Sequence, residues 1–246
     1  MTIGSETDLA GMQRVGRLVA RTLAHMRTLV RPGVATAELD AAAARFAGAE
    51  GARSAPQLTY DFPGFTCISV NEEIVHGIPG ARVLAPGDVV KLDVTLELDG
   101  YMADSAATVL VPPARPEAQA LQRAARVAFN RGLDAARAGR RLREVGAAVE
   151  TAARRAGAVV IRELEGHGIG RRLHEPPSVP NWNDPKADLV LREGLVLALE
   201  PMLTATPTRV VEEPDGWTLR THDRALAVHH EHTIVIRKGE ALVLTA

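Results

Sequence analysis

Five residues of the chain sit awkwardly in their segments unless they do chemistry together. Asp93 and Asp104 fall on one face of a hairpin, and His167 lies in the glycine-dense run Gly166-His167-Gly168-Ile169-Gly170. Glu200 ends a continuous apolar run, and Glu231 stands between His230 and His232. A buried carboxylate without a partner costs several kcal/mol, and no Arg or Lys stands in an obvious position to pair with these acids. Four carboxylates and one imidazole fit a cluster of divalent cations. Such a donor set suits Mn, Fe, Co or Zn, and two cations sharing bridging carboxylates use this many ligands well. Singly, each residue also has a structural explanation. Asp93 can lie on a solvent face with Lys91 and Glu97, Glu200 can bind a backbone amide, and Glu231 can pair with a neighbouring histidine, since acids on strands are mostly solvated. The combination, together with the duplication described below, favours the metal reading.

The hairpin comes first among the elements that must position these groups. Over residues 89–98 the apolar Val90, Leu92, Val94 and Leu96 alternate with Lys91, Asp93, Thr95 and Glu97, the pattern of a strand with one buried face. Asp99-Gly100 is a two-residue hairpin signal. With that pair at the turn centre, Leu98 pairs with Tyr101, Asp93 faces Ala106 and Asp104 faces Thr95. Asp93 and Asp104 are then diagonal neighbours on one face, about 7–8 Å apart at the backbone. A cation fits between their carboxylates; without one, their repulsion raises one pKa.

Residues 1–10 read as a flexible start. Apolar steps of three and four at Met12, Val15, Val19, Leu23 and Met26 predict a helix over 8–30, stopped by Arg31-Pro32-Gly33, and Thr36 caps a second helix running to residue 50. Residues 56–65 read as irregular, 67–70 as a short strand, and His76-Gly77-Ile78-Pro79-Gly80 as a loop. Further helices are predicted over 117–138 and 142–156, with strands over 159–164, 195–199, 217–220 and 229–236. The two halves echo one another. VRPGVATAELDAAAARFAGAEG resembles ARAGRRLREVGAAVETAARRAG, HGIP at His76 resembles HGIG at His167, and PGDVVKLD ending at Asp93 resembles REGLVLALE ending at Glu200. A duplicated α/β unit predicts pseudo-two-fold symmetry, with a site where the two sheets meet. Chance likeness between Ala-rich helices is the competing explanation, and the paired His-Gly-Ile and acid-strand positions weigh against it.

Composition narrows the field. The 246 residues suffice to bury a real core. A formal net charge of -1 supplies no global basic field for DNA or an anionic membrane. The arginines between Arg123 and Arg143 recur at helical spacing and read as a solvated helix face, with a local RNA contact as the minority reading. A single cysteine, Cys67, rules out an intrachain disulfide and fits a reducing compartment. No apolar run approaches the roughly 18 residues of a membrane span, and the start of the chain lacks the basic and apolar regions of a signal peptide. A cytoplasmic enzyme or binding protein is the expectation.

Over about residues 8–240 the chain resembles the type I methionine aminopeptidases. The stretches that carry the likeness are CISVNEEIVHGIP, GDVVKLDVTLELDGYMAD, GHGIGRRLHEPP, LALEPM and DGWTLRTHDRALAVHHEHTIVI. The resemblance implies an α/β (α+β) fold: the duplicated, pseudo-two-fold pita-bread fold, with central antiparallel sheets and helices outside. Residues 11–246 are then one catalytic domain with halves of about 11–113 and 114–246. It implies two divalent metal ions (Co, Mn, Fe or Zn), with Asp93 on the first, Asp104 and Glu231 bridging, and His167 and Glu200 completing the second. In that family a bridging water or hydroxide attacks the scissile carbonyl, and Glu200 matches the residue that also carries the proton. His76 and His174 match histidines that contact the substrate and help stabilise the tetrahedral intermediate. Phe62, Cys67 and Trp217 match walls of the methionine pocket, and His232 is expected to orient the ligands from behind.

The implied partners are the N-termini of nascent polypeptides with a small second residue, met at the ribosome by a monomer, with no DNA or membrane involved. The chain departs from the family pattern at Leu173, where many relatives have Phe. It also departs around Thr59 and Tyr60, where Asp61-Phe62-Pro63 replaces a Tyr-His-Gly-Tyr-type sequence. Both departures bear on pocket shape rather than on the metal ligands. Two other readings stay open. One is an Xaa-Pro-type peptidase of the same fold, whose relatives typically carry an extra N-terminal domain that this chain is too short to hold. The other is an inactive binding or scaffold relative, which typically loses ligands where this chain keeps all five.

Overall fold

The strands Val89–Leu98 and Tyr101–Leu110 pair antiparallel along their whole length, with Leu98 opposite Tyr101, Asp93 opposite Ala106 and Thr95 opposite Asp104. Asp99 and Gly100 both take positive φ, 53° and 78°, as the favoured two-residue hairpin turn requires. The computed structural model describes residues 1–246.

Helices α1 (Glu6–Leu29) and α2 (Thr36–Gly48) cover the apolar side of this hairpin. Met12, Val15, Val19, Met26 and Leu39 form one core with Val90, Leu92, Val94 and Leu96. The expectation of a single buried face fails here, because Lys91 and Glu97 on the polar side are 1% and 6% exposed. Helix α3 (Ala55–Tyr60) and the strands Glu73–Val75 and Ala227–His229 come close to this strand, so the second face is covered by distant parts of the chain. The two buried charges find partners: Lys91 Nζ donates to Asn71 O at 2.7 Å, and Glu97 accepts from Arg53 Nε at 2.8 Å and Gly100 N at 2.7 Å.

The second half repeats the plan. Helices α4 (Pro116–Ala135) and α5 (Leu142–Arg155) pack Leu121, Phe129, Val145 and Val149 on Leu197, Leu199, Leu203, Val228 and Ile234. The sheet beneath is antiparallel, in the order Leu242–Val243, His232–Val235, Val196–Leu199, Gly166–Gly168, Glu175–Val179. The halves join along the hairpin's return strand. Glu231 N donates to Ala106 O at 2.9 Å, and Thr233 Oγ1 accepts from Asp104 N at 2.9 Å and donates to Asp104 O at 2.8 Å.

Several local expectations change. The start of the chain is docked rather than loose: Thr2 bridges to Leu195, Ile3 N donates to Gly194 O at 2.8 Å, and Ser5 Oγ caps α1 by accepting from Asp8 N at 3.1 Å. The cap of α2 is Ala35, whose N–H meets Glu38 Oε2 at 2.8 Å, while Thr36 in the first turn binds Gly80. Within the stretch read as irregular, α3 forms behind a Ser54 cap with Pro56 in its first turn, where a missing N–H does no harm. The strand read over 159–164 is only Val159–Val160, and that over 217–220 is Leu219–Thr221. The strand read over 229–236 breaks into Ala227–His229, paired with Met202–Thr204, and His232–Val235, paired with Val196–Leu199. Pro201, which has no N–H to give, lies in the matching break of the partner. No helix is long and apolar enough to cross a membrane.

Candidate metal centre

The polar face of the hairpin, the paired breaks at Glu200 and Glu231, and the short strand Gly166–Gly168 converge on a cavity of about 350 Å³. Asp93, Asp104, His167, Glu200 and Glu231 line it together with His76, His174, Phe62, Cys67 and Trp217.

His167 is held on a strand pressed from both sides. A Cβ at Gly166 would lie 2.4 Å from Ala198 O, and one at Gly168 would lie 2.4 Å from Pro176 O. Only glycine allows so close an approach. His167 Nδ1 lies 2.9 Å from Gly168 O, so Nδ1 carries the proton and Nε2 keeps its lone pair for the cavity, 3.4 Å from Glu200 Oε1. Burial, followed by the neighbouring His174, pushes His167 down to about 3, which keeps it in the neutral form that ligates metals.

The carboxyls are stacked against one another with few donors. Asp104 Oδ1 accepts from Thr95 Oγ1 at 2.7 Å. Asp93 Oδ1 and Glu231 Oε1 are buried and have no hydrogen-bond partner. Burial raises Asp104 to about 6. Burial, and then the charge of Asp104, pushes Asp93, Glu200 and Glu231 well above the usual carboxylate range. An ionised carboxylate offers only acceptors, so an orphaned buried oxygen is satisfied by a proton or a cation. Asp104, His167 and Glu231 each bring a ligand atom within 4.8 Å of the others, and so do Glu200, His229 and Glu231. Asp93 lies outside both triples but is electrostatically joined to Asp104. The donor set therefore fits divalent cations.

Around this floor the walls are mixed. His76 takes φ 58°, and the next residue must be glycine, since a Cβ at Gly77 would lie 2.4 Å from Ile68 O. The His174 ring lies 4.1 Å from that of His167, and its Nδ1 is 2.6 Å from Tyr60 Oη. Phe62 meets Trp217 edge-on at 5.2 Å, and Leu173 lines the same space. Cys67 stands opposite Asp93 in the sheet. Burial and then the charges of Asp93 and Asp104 push its thiol up, so it is a neutral wall and not a nucleophile. His232, expected behind the ligands, turns away. Its Nδ1 is 3.0 Å from Thr245 O and reaches the centre only through Ser105 Oγ at 3.3 Å, whose hydroxyl donates to Glu231 O.

Sequence reasoning passed over His229, Tyr60 and Thr95. His229 and Thr95 carried a usable signal, because each stands two residues from an acid of the set and so shares its face in an extended chain. Tyr60 carried none, as its partner His174 lies 114 residues away.

Comparison with known proteins identifies the family. Metallopeptidase family M24 matches residues 10–238. Methionine aminopeptidase 2 of Bacillus subtilis is 40% identical over 247 residues, covering 100% of this chain and 99% of that protein. The crystal structure of methionine aminopeptidase from Thermotoga maritima is similar with a TM-score of 0.96 and 34% identity, over 100% of this chain and 99% of that one. Prolidase from Pyrococcus furiosus, at 19% identity and a TM-score of 0.79, covers 98% of this chain and 64% of its own, a likeness of fold alone. Two helix pairs outside central antiparallel sheets make the pita-bread fold that these enzymes share. With the family matched across almost its whole length, the chain belongs to metallopeptidase family M24.

Proposed function

We propose that the chain is a metal-dependent aminopeptidase that removes the N-terminal methionine from polypeptides whose second residue is small. The observation that carries this reading is a floor of three buried carboxyls, Asp104, Glu200 and Glu231, with the half-buried Asp93 and His167, beneath a cavity walled by Phe62, Cys67 and Trp217. Full-length similarity to methionine aminopeptidases supports it.

In this reading Asp93, Asp104, His167, Glu200 and Glu231 hold two divalent ions per chain, drawn from Co, Mn, Fe or Zn. When bound, such ions polarise a carbonyl and acidify water. The remaining work falls to the chain's own groups. Glu200, with its carboxyl pushed up by burial, is suited to take a proton and return it to the leaving amine. In this reading Tyr60 Oη, 2.6 Å from His174 Nδ1, is the donor of that bond, and His174 takes the tautomer whose Nε2–H is free to donate to the substrate carbonyl. His76 faces the same space from the opposite half. The edge-on Phe62–Trp217 pair and the neutral Cys67 thiol offer an apolar seat for a thioether side chain. The reading treats residues 11–246 as one catalytic domain that works as a monomer in the cytoplasm on chains emerging from the ribosome, consistent with a lone, buried cysteine.

An Xaa-Pro peptidase is the second reading. The chain is 40% identical to the Bacillus aminopeptidase, whereas its likeness to the archaeal prolidase, at 19% identity, is one of fold alone, which favours the first. The test compares release of Met from Met-Ala-Ser with cleavage of an Xaa-Pro peptide, with Mn, Fe, Co or Zn and with chelator. Methionine release that chelator abolishes is expected. Preference for the Xaa-Pro peptide, or activity that survives chelation, refutes the proposal.

A further inference from the structure

We infer that His229 is a positioning residue of the metal centre: its Nε2–H holds Glu200 and Glu231 from behind and fixes how they face a cation. The inference rests on the metal reading of the site. His229 is 1% exposed, and neither ring nitrogen has a hydrogen-bond partner. Nε2 lies 3.5 Å from Glu200 Oε2 and 3.8 Å from Glu231 Oε2, just beyond bonding distance to both. A buried imidazole with two unmet nitrogens is costly, and the acceptors within its reach are these carboxylates.

The ring cannot swing away easily, because its backbone is clamped to the hairpin. His229 N donates to Thr108 Oγ1 at 2.9 Å, and Thr108 Oγ1 donates to His229 O at 2.8 Å. Behind the ring runs a groove lined by Arg27, Arg123, Arg126 and His230. Arg27, Arg123 and Arg126 form no ion pair with an acid. The acids lie on the Nε2 side, at 3.5 and 3.8 Å, so the useful side of His229 is the one facing them. Glu200 and Glu231 sit at breaks in their strands, where no continuous ladder sets the direction of the side chain. A fixed donor behind them restores that direction, as outer partners of metal ligands commonly do.

The test strips the full chain of metal and titrates it with Mn by calorimetry as wild type, His229→Leu and His229→Gln, with melting curves of the metal-free proteins as the control for folding. Leucine is expected to weaken Mn binding about 10–100-fold, and glutamine, which keeps an N–H donor, to recover most of it. In the wild type loaded with Zn and labelled with 15N-histidine, nuclear magnetic resonance is expected to show His229 Nε2 protonated and not bound to metal. Unchanged Mn affinity in a folded leucine variant, or a metal-bound Nε2, overturns the inference and leaves the metal centre standing. If the leucine variant does not fold, the resonance of the wild type decides. A wild type that takes up no cation overturns both readings.

Discussion

Glu200 lies opposite Glu231 in the gap of an interrupted strand pair: Leu199 pairs with His232 and Met202 with His229, and the two acids fall between. Like charges at facing ladder positions repel, and here both are buried. The metal-free fold therefore keeps protons on carboxyls that burial has raised, Asp104 to about 6 and Asp93, Glu200 and Glu231 well up. Raised carboxyl values stabilise the metal-free fold at low pH, and that contribution is lost as pH climbs through them. Cation uptake must expel the same protons, so affinity rises with pH. The increase in melting temperature given by saturating Mn is expected to be larger at about pH 7.5 than at about pH 5.5, with proton release seen by calorimetry in two buffers. A thermal shift independent of pH would contradict this account.

Asp104→Asn separates chemistry from folding. The amide oxygen can still accept from Thr95 Oγ1, and the substitution removes a group whose ionisation burial opposes. The metal-free variant is expected to melt within about 5 °C of wild type, while release of Met from Met-Ala-Ser falls below detection. Substantial turnover rules out the bridging role.

Tyr60→Phe tests the tautomer of His174. Tyr60 is 43% exposed, so little stability rests on it. Loss of its 2.6 Å bond to His174 Nδ1 is expected to lower turnover about 5–10-fold with KM little changed, the scale of one hydrogen bond. His174→Ala should cost more. Identical kinetics in the phenylalanine variant would remove Tyr60 from the mechanism.

Gly166→Ala probes the strand that carries His167. The new methyl would meet Ala198 O at 2.4 Å, and a backbone atom cannot turn aside. A stability loss of about 1–3 kcal/mol is expected from denaturant unfolding, with weaker Mn binding as His167 shifts. Gly48→Ala at the end of α2 meets nothing within 4 Å and is the control, neutral or stabilising by up to about 1 kcal/mol.

The hairpin, its register, the shared face of Asp93 and Asp104, and four of the helices were legible in the amino-acid order. Turn chemistry at Asp99-Gly100 and periodic apolar spacing are short-range properties that the local chain decides for itself. That Asp93, Asp104, His167, Glu200 and Glu231 belong together was legible too, because acids and a histidine in apolar or glycine-rich surroundings are conspicuous wherever they occur, and the fold brings all five to one cavity. Tertiary structure alone decided the rest. Lys91 and Glu97 look solvent-facing in an alternating strand, yet segments far along the chain cover that face. The run before Ile236 reads as one strand, yet its ladder is interrupted at His230 and Glu231, opposite the matching break at Glu200 and Pro201. The contact of Tyr60 with His174, and the approach of His229 to Glu200, arise only when separate segments pack together. Alternation along a strand records one face at a time, and the layer laid over the other face comes from residues that no local pattern can count.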